Sequence, residues 1–156
     1  MLDNQIQIIC IFQKNKIPMS NKILNKITFL NEGSHTKLIC YKSGYVTRLK
    51  TLQKSQQKIR YVWLKNSLYT NMTFARSIWY IINEKNFIRN IRNNYPIGLS
   101  FTQNQIDIHR KIYEMYYCYC KKITLHKGIW GRKYIIYNFR NYSTVIQEFF
   151  LTEIIV

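Results

Sequence analysis

Two stretches of this chain, residues 59–69 and 72–82, are crowded with β-branched and aromatic side chains and separated by little more than Asn71. Side chains of that kind fit a pleated, half-buried surface and lose rotamer freedom in a helix. A short polar break between two such runs is what a hairpin turn needs. The arrangement recurs near the other end, where residues 132–139 and 144–154 flank Arg140-Asn141-Tyr142 after a compact loop, Gly128-Ile129-Trp130-Gly131. A further hairpin is expected from residues 36–41 and 45–52 around Lys42-Ser43-Gly44, following a turn at Glu32-Gly33-Ser34-His35.

Helical spacing is confined to fewer places. Ile23, Leu24, Ile27 and Leu30 recur on one face behind Ser20, a potential N-cap, and predict a helix over residues 20–30. Residues 84–92 read as another, ended by Tyr95-Pro96-Ile97-Gly98, because the residue before a proline avoids helical angles. Residues 106–120 fit either period: Ile106, Ile108 and Ile112 suit a strand, Ile108, Ile112 and Met115 a helix, and the strand is preferred. The pattern as a whole predicts an α+β fold, a single antiparallel sheet of about six strands partly covered by two or three helices.

At 156 residues the chain has the size of one domain and buries about two thirds of the surface its unfolded form exposes. With 47% apolar residues and no turn-rich or like-charged run long enough for a linker, residues 1–156 are expected to form one unit. Cys10, Cys40, Cys118 and Cys120 lack the spacing of a disulfide framework or a zinc site, so these thiols are expected to hold no metal. The first residues carry Asp3 where a secretory signal is basic, and no segment approaches the roughly 20 apolar residues that span a bilayer. Abundant Ile, Lys, Asn and Tyr beside a single alanine, Ala75, are the mark of AT-rich coding DNA, such as that of an organelle genome, a plastid above all, or of an AT-rich bacterium.

The formal charge of +17 invites a nucleic-acid partner. Yet AT-rich codons inflate lysine by themselves, and the basic residues are scattered through apolar segments with no binding tail among them. What the charge predicts is a positive field that draws anions, small ones included.

Seven acids exist, and one of them is out of place. Glu148 lies within Val145-Ile146-Gln147-Glu148-Phe149-Phe150-Leu151, where an unpaired carboxylate is costly to bury and has its pKa raised by desolvation, unless alternation turns it to solvent. His35, His109 and His126 have no ligand spacing, and no serine or cysteine sits in a nucleophile elbow. Lys65 and Arg76 fall on neighbouring strands of the 59–82 hairpin, where they can oppose each other; like charges do so unfavourably unless an anion lies between them, and the alternative is that both are solvated on an outer face.

Six short motifs follow in order: Leu30-Asn31-Glu32-Gly33-Ser34-His35-Thr36-Lys37, Arg60-Tyr61-Val62-Trp63-Leu64-Lys65, Ala75-Arg76-Ser77, Tyr95-Pro96-Ile97-Gly98, Gly128-Ile129-Trp130-Gly131-Arg132-Lys133 and Gln147-Glu148-Phe149-Phe150-Leu151. From about residue 23 to 151 the chain resembles the chorismate pyruvate-lyase family and its plastid-encoded branch. The resemblance implies an antiparallel sheet with helical flaps over a buried ligand site. It also implies a cofactor-free reaction in which chorismate loses its enolpyruvyl group as pyruvate and its ring becomes 4-hydroxybenzoate. By position it implies Glu148 as the catalytic carboxylate and Arg76 as a substrate-binding cation, with His35 and Ile97 touching the ligand through backbone atoms.

Lys65 falls where the family's lyases carry a carboxylate-clamping arginine. Lysine keeps the charge but not the planar fork, so the resemblance implies slow turnover that Lys65→Arg accelerates. Trp130 and Gly131 are expected to contribute packing, not chemistry. The resulting expectation is a plastid stromal, monomeric, lyase-like protein that binds a small carboxylate and neither membrane nor nucleic acid. The competing expectation, from charge alone, is a basic organellar RNA-binding or ribosome-associated protein. Salt separates the two, since phosphate-backbone binding weakens steeply with salt.

Overall fold

The computed structural model describes residues 6–13, 35–46, 48–51, 59–65, 71–81, 97–120, 128–138 and 142–150. In chain order the elements are β1 (Ile6–Gln13), α1 (His35–Ser43), β2 (Arg48–Thr51), β3 (Ile59–Lys65), β4 (Asn71–Ile81), α2 (Ile97–Gln103), β5 (His109–Cys120), β6 (Ile129–Asn138) and β7 (Tyr142–Phe150). All seven strands join one antiparallel sheet in the order β1-β5-β6-β7-β4-β3-β2. Two meanders, β5-β6-β7 and β2-β3-β4, are thus stitched together where β7 lies along β4. Among the described residues the fold is mostly β, with α1 and α2 as its helices.

The two hairpins built on the strongest patterns form as expected, β3 with β4 and β6 with β7. Of residues 106–120, His109–Cys120 form strand β5, while 106–108 precede it outside any element. The expected helices over 20–30 and 84–92, and Tyr95-Pro96, lie outside the described residues.

Three readings need correction. The 36–41 limb of the first expected hairpin is helix α1, and β2 pairs with β3 instead. Short-range pattern favoured a strand there because Thr36, Ile39 and Tyr41 are β-formers. Burial decides otherwise: Ile39 is fully enclosed against Val62 and Leu64 of β3. Gly44, at φ 68°, ends this helix and does not turn a hairpin; its left-handed conformation is the ordinary close of a helix. Second, Ile97 and Gly98 open α2 where a helix was expected to have ended.

Third, Trp130 and Gly131 sit inside β6, not in a loop before it. Trp130 stacks on Phe12 of β1 and packs at a tilt against Tyr117 of β5, with ring centroids 6.2 and 4.9 Å away. Gly131 lets β6 close on β7: a Cβ there falls 2.7 Å from the Glu148 carbonyl oxygen and 2.8 Å from Phe149 Cδ1.

Core side chains cover both sheet faces. On one, Phe101 of α2 packs with Ile112, Met115, Tyr134, Ile136, Ile146 and Phe150. The other carries an aromatic row in which Trp63, Phe74, Phe149 and Tyr116 follow one another across β3, β4, β7 and β5. Burial on both faces explains why the central strands read as near-continuous apolar runs. β1, at the edge, is largely exposed.

Candidate active site

A cavity lies between the sheet and the N-terminal ends of both helices, enclosing about 700 Å³ of empty space, part of it open to solvent. The sheet contributes Arg60, Val62 and Leu64 from β3, Ala75 and Ser77 from β4, Arg110 from β5, Arg132, Tyr134 and Ile136 from β6, and Ile146 and Glu148 from β7. His35 and Thr36 of α1 and Ile97 and Gly98 of α2 close it from the helical side. In each of β3, β4, β6 and β7 these residues are two apart, as strand alternation requires for one face.

Glu148 is turned inward, 7% exposed, and both its oxygens are engaged. Its register partner on β6 is Arg132, whose Nε donates to Oε2 at 2.9 Å and whose second guanidinium nitrogen lies 2.8 Å from the same oxygen. Tyr134 donates its hydroxyl to Oε1 at 2.7 Å. Burial by itself pushes this carboxyl up, but the Arg132 charge and the hydrogen bonds from Tyr134 and Arg132 outweigh it, so Glu148 sits below its ordinary value. The sequence expectation of a raised pKa is therefore corrected, because desolvation was considered without the cation that strand pairing delivers. Burial would lower Arg132 in turn, yet Glu148 and Tyr134 hold it above its usual value. Tyr134 is pushed up by burial and by Glu148, so its phenol stays a donor.

Two further guanidiniums line the space. Arg60 is 3% exposed, and burial draws its pKa down to about 10, still protonated at neutral pH. Arg110 lies over the Tyr134 ring, 5.2 Å from its centroid, with Arg132 at 5.1 Å from the same ring. His35 is held by Nε2 against Thr73 Oγ1 at 2.9 Å and meets the Phe150 ring edge-on at 4.9 Å. Burial lowers its pKa to about 4, so the imidazole is neutral near pH 7. At that pH the lining carries three guanidiniums against one carboxylate, an excess of positive charge in a largely apolar hollow. Among the described residues, no group of three His, Cys, Asp or Glu is placed to hold a metal ion.

Of the residues singled out in the sequence, Glu148, His35 and Ile97 meet at this cavity. Lys65 and Arg76 do not line it. Arg76 alternates with Ala75 and Ser77, which do, and therefore projects from the opposite face, in register with Tyr61 and Gln147. Nor do the two oppose each other, since Lys65 pairs with Asn71 and Arg48. An irregularity at Leu64/Lys65 shifts that register. The cations that do reach the cavity, Arg60, Arg110 and Arg132, were missed, as was Tyr134. Arg60 was legible: it alternates with Val62 and Leu64, so a cation on an apolar strand face is the same anomaly that exposed Glu148.

The family described as chorismate pyruvate-lyase, Rv2949c-like, matches residues 19–155. The chain belongs to this family. Among its relatives is the protein called "Uncharacterized protein ycf21" in Antithamnion sp., 36% identical over 152 residues, which cover 88% of this chain and 84% of that one. Its namesake in Porphyra purpurea is 28% identical over 167 residues, covering 96% and 88%. The Rv2949c-like match takes in every strand of the cavity: β3, β4, β5, β6 and β7 all lie inside it, and only β1 precedes it.

Proposed function

We propose that the protein is a chorismate lyase, releasing pyruvate from chorismate and leaving 4-hydroxybenzoate. The observation that carries this reading is a cavity in which Arg60, Arg110 and Arg132 face a buried glutamate, in a chain of this family. Chorismate is a dianion. Each carboxylate brought to about 4 Å from a guanidinium in a partly buried site gains roughly 4 kcal/mol before desolvation is subtracted. Apolar walls from Val62, Leu64, Ile136 and Ile146 suit the ring.

The reaction is an elimination that needs no redox partner. The bond between a ring carbon and the enolpyruvyl oxygen breaks, the ring gives up a proton as it becomes aromatic, and the enolpyruvyl methylene gains one to become pyruvate. A carboxylate kept ionised accepts a proton and does not donate one, so Glu148 serves as the base that takes the ring proton. Substrate carboxylates draw on Arg132, and as they do, Glu148 loses part of the charge that holds its basicity down. Orientation comes from Arg60 and Arg110, whose planar forks match carboxylates.

The relatives' shared name, ycf21, is a plastid-genome gene name in algae, and it supports a plastid origin; action in the stroma is part of the proposal. The test is to incubate purified protein with chorismate and follow pyruvate and 4-hydroxybenzoate together. One of each per chorismate consumed, with turnover abolished in Glu148→Gln, is the expected result. Absence of both products, together with RNA binding that weakens steeply with salt, would overturn the proposal.

A further inference from the structure

We propose that His35 recognises the ligand with its side chain, Nδ1 accepting a hydrogen bond from a ring hydroxyl of the bound acid. The inference rests on the reading of the cavity as an aromatic-acid site and goes beyond it by assigning what distinguishes a hydroxylated ring from a bare one.

His35 is the first residue of α1 and lines the cavity. Its ring is fixed by two contacts: Nε2 bonds Thr73 Oγ1 at 2.9 Å, and Phe150 packs against it at 4.9 Å with planes 70° apart. Thr73 is itself buried and is not among the residues that line the cavity, so Nε2 is tied to the wall behind the ligand space. Nδ1, across the ring, is buried and has no hydrogen-bond partner among the described residues. Buried polar atoms are rarely left so, and one on a cavity wall is naturally satisfied by what fills the cavity. In the tautomer whose Nε2–H donates to Thr73, the one this proposal takes, Nδ1 presents a lone pair.

The charged groups of the lining already have other partners or roles. Arg60, Arg110 and Arg132 are donors only, and they serve the carboxylates. Both oxygens of Glu148 already accept, Oε1 from Tyr134 and Oε2 from Arg132. A neutral imidazole adds an acceptor without adding charge, and it remains neutral at pH 7 despite the carboxylate nearby because burial and the Arg132 and Arg110 charges disfavour its protonation. Glu148 of β7, Arg132 of β6, Arg110 of β5 and Arg60 of β3 are the charged groups facing it across the cavity.

The test compares calorimetric affinities for 4-hydroxybenzoate and benzoate, which share a ring and a carboxylate and differ in the hydroxyl. The native protein is expected to prefer 4-hydroxybenzoate by roughly fivefold, the ratio set by one net hydrogen bond. His35→Leu should bring that ratio to about one, and His35→Asn, whose amide oxygen takes the place of Nδ1, should restore part of it. On the native protein, the ¹⁵N resonance of His35 Nδ1 should shift with 4-hydroxybenzoate and not with benzoate, a readout independent of whether variants fold. Equal affinities in the native protein, or a preference that survives in His35→Leu, overturns the role of His35 and leaves the cavity reading standing. Binding of neither acid overturns both.

Discussion

Arg132→Met is the substitution whose consequence follows most directly from the geometry. It keeps the volume of the side chain and removes the only cation in direct contact with Glu148 among the described residues, a contact at 2.8 Å with Arg132 fully buried. Tyr134 alone then supports a carboxylate that is 7% exposed. Losing one partner of a buried pair costs about 3–5 kcal/mol, because the remaining charge is stranded in a medium that solvates it poorly. The cation also suppresses the carboxyl pKa, so in Arg132→Met burial prevails and Glu148 titrates above its ordinary value. The loss should therefore be largest at pH 7.5 and shrink as the pH falls through the new, raised value and Glu148 becomes neutral. In Arg132→Met/Glu148→Leu both charges are gone, and stability should return to within about 1–2 kcal/mol of the native protein, or exceed it. Urea unfolding of the native protein, Arg132→Met, Glu148→Leu and the double variant at pH 7.5 and pH 5.5 measures the cycle. A loss below about 1 kcal/mol in Arg132→Met, or a double variant no more stable than the single, would refute the pairing argument.

Other expectations follow from the same packing. Gly131→Ala places a methyl against the Glu148 carbonyl and the Phe149 ring and should cost about 1–3 kcal/mol in urea unfolding, with misalignment of Glu148 as a secondary loss of activity. His35 has a folded pKa near 4, below its unfolded value of 6.5, so its contribution is fully present above pH 6.5 and lost as the pH falls toward 4; His35→Leu should flatten the stability profile in that window by up to about 3 kcal/mol. Arg76→Met and Lys65→Arg lie off the cavity and should leave 4-hydroxybenzoate affinity within roughly twofold, with turnover likewise unaccelerated in Lys65→Arg.

What the sequence disclosed was set by how local the causes are. Hairpins β3–β4 and β6–β7 depend on adjacent runs with a short break, and pattern alone finds them. Helix α1 depends on Ile39 meeting Val62 and Leu64 more than 20 residues away in the chain, and no window over residues 36–41 contains that information. The site divides the same way. Glu148 stands out because its own neighbours are apolar, whereas its partner Arg132 is set opposite it by the β6–β7 register. The choice of Lys65 and Arg76 over Arg60 followed motif position, while alternation with Val62, Leu64, Ala75 and Ser77 decides which face each arginine takes. The pKa of Glu148 went the wrong way for that reason too: desolvation is a property of the strand, and the compensating charge comes from its neighbour.

The central claim is that one cavity, with Arg60 as a carboxylate-binding cation and the opposite sheet face uninvolved, holds the acid. Calorimetric titration of chorismate into the native protein, Arg60→Met and Arg76→Met at one fixed salt concentration tests it most directly. The expected result is one site per chain, weakened by at least about tenfold in Arg60→Met, as loss of a charged hydrogen-bonding partner implies, and unchanged in Arg76→Met. Native affinity in Arg60→Met with binding lost in Arg76→Met would place the ligand on the other face and contradict it.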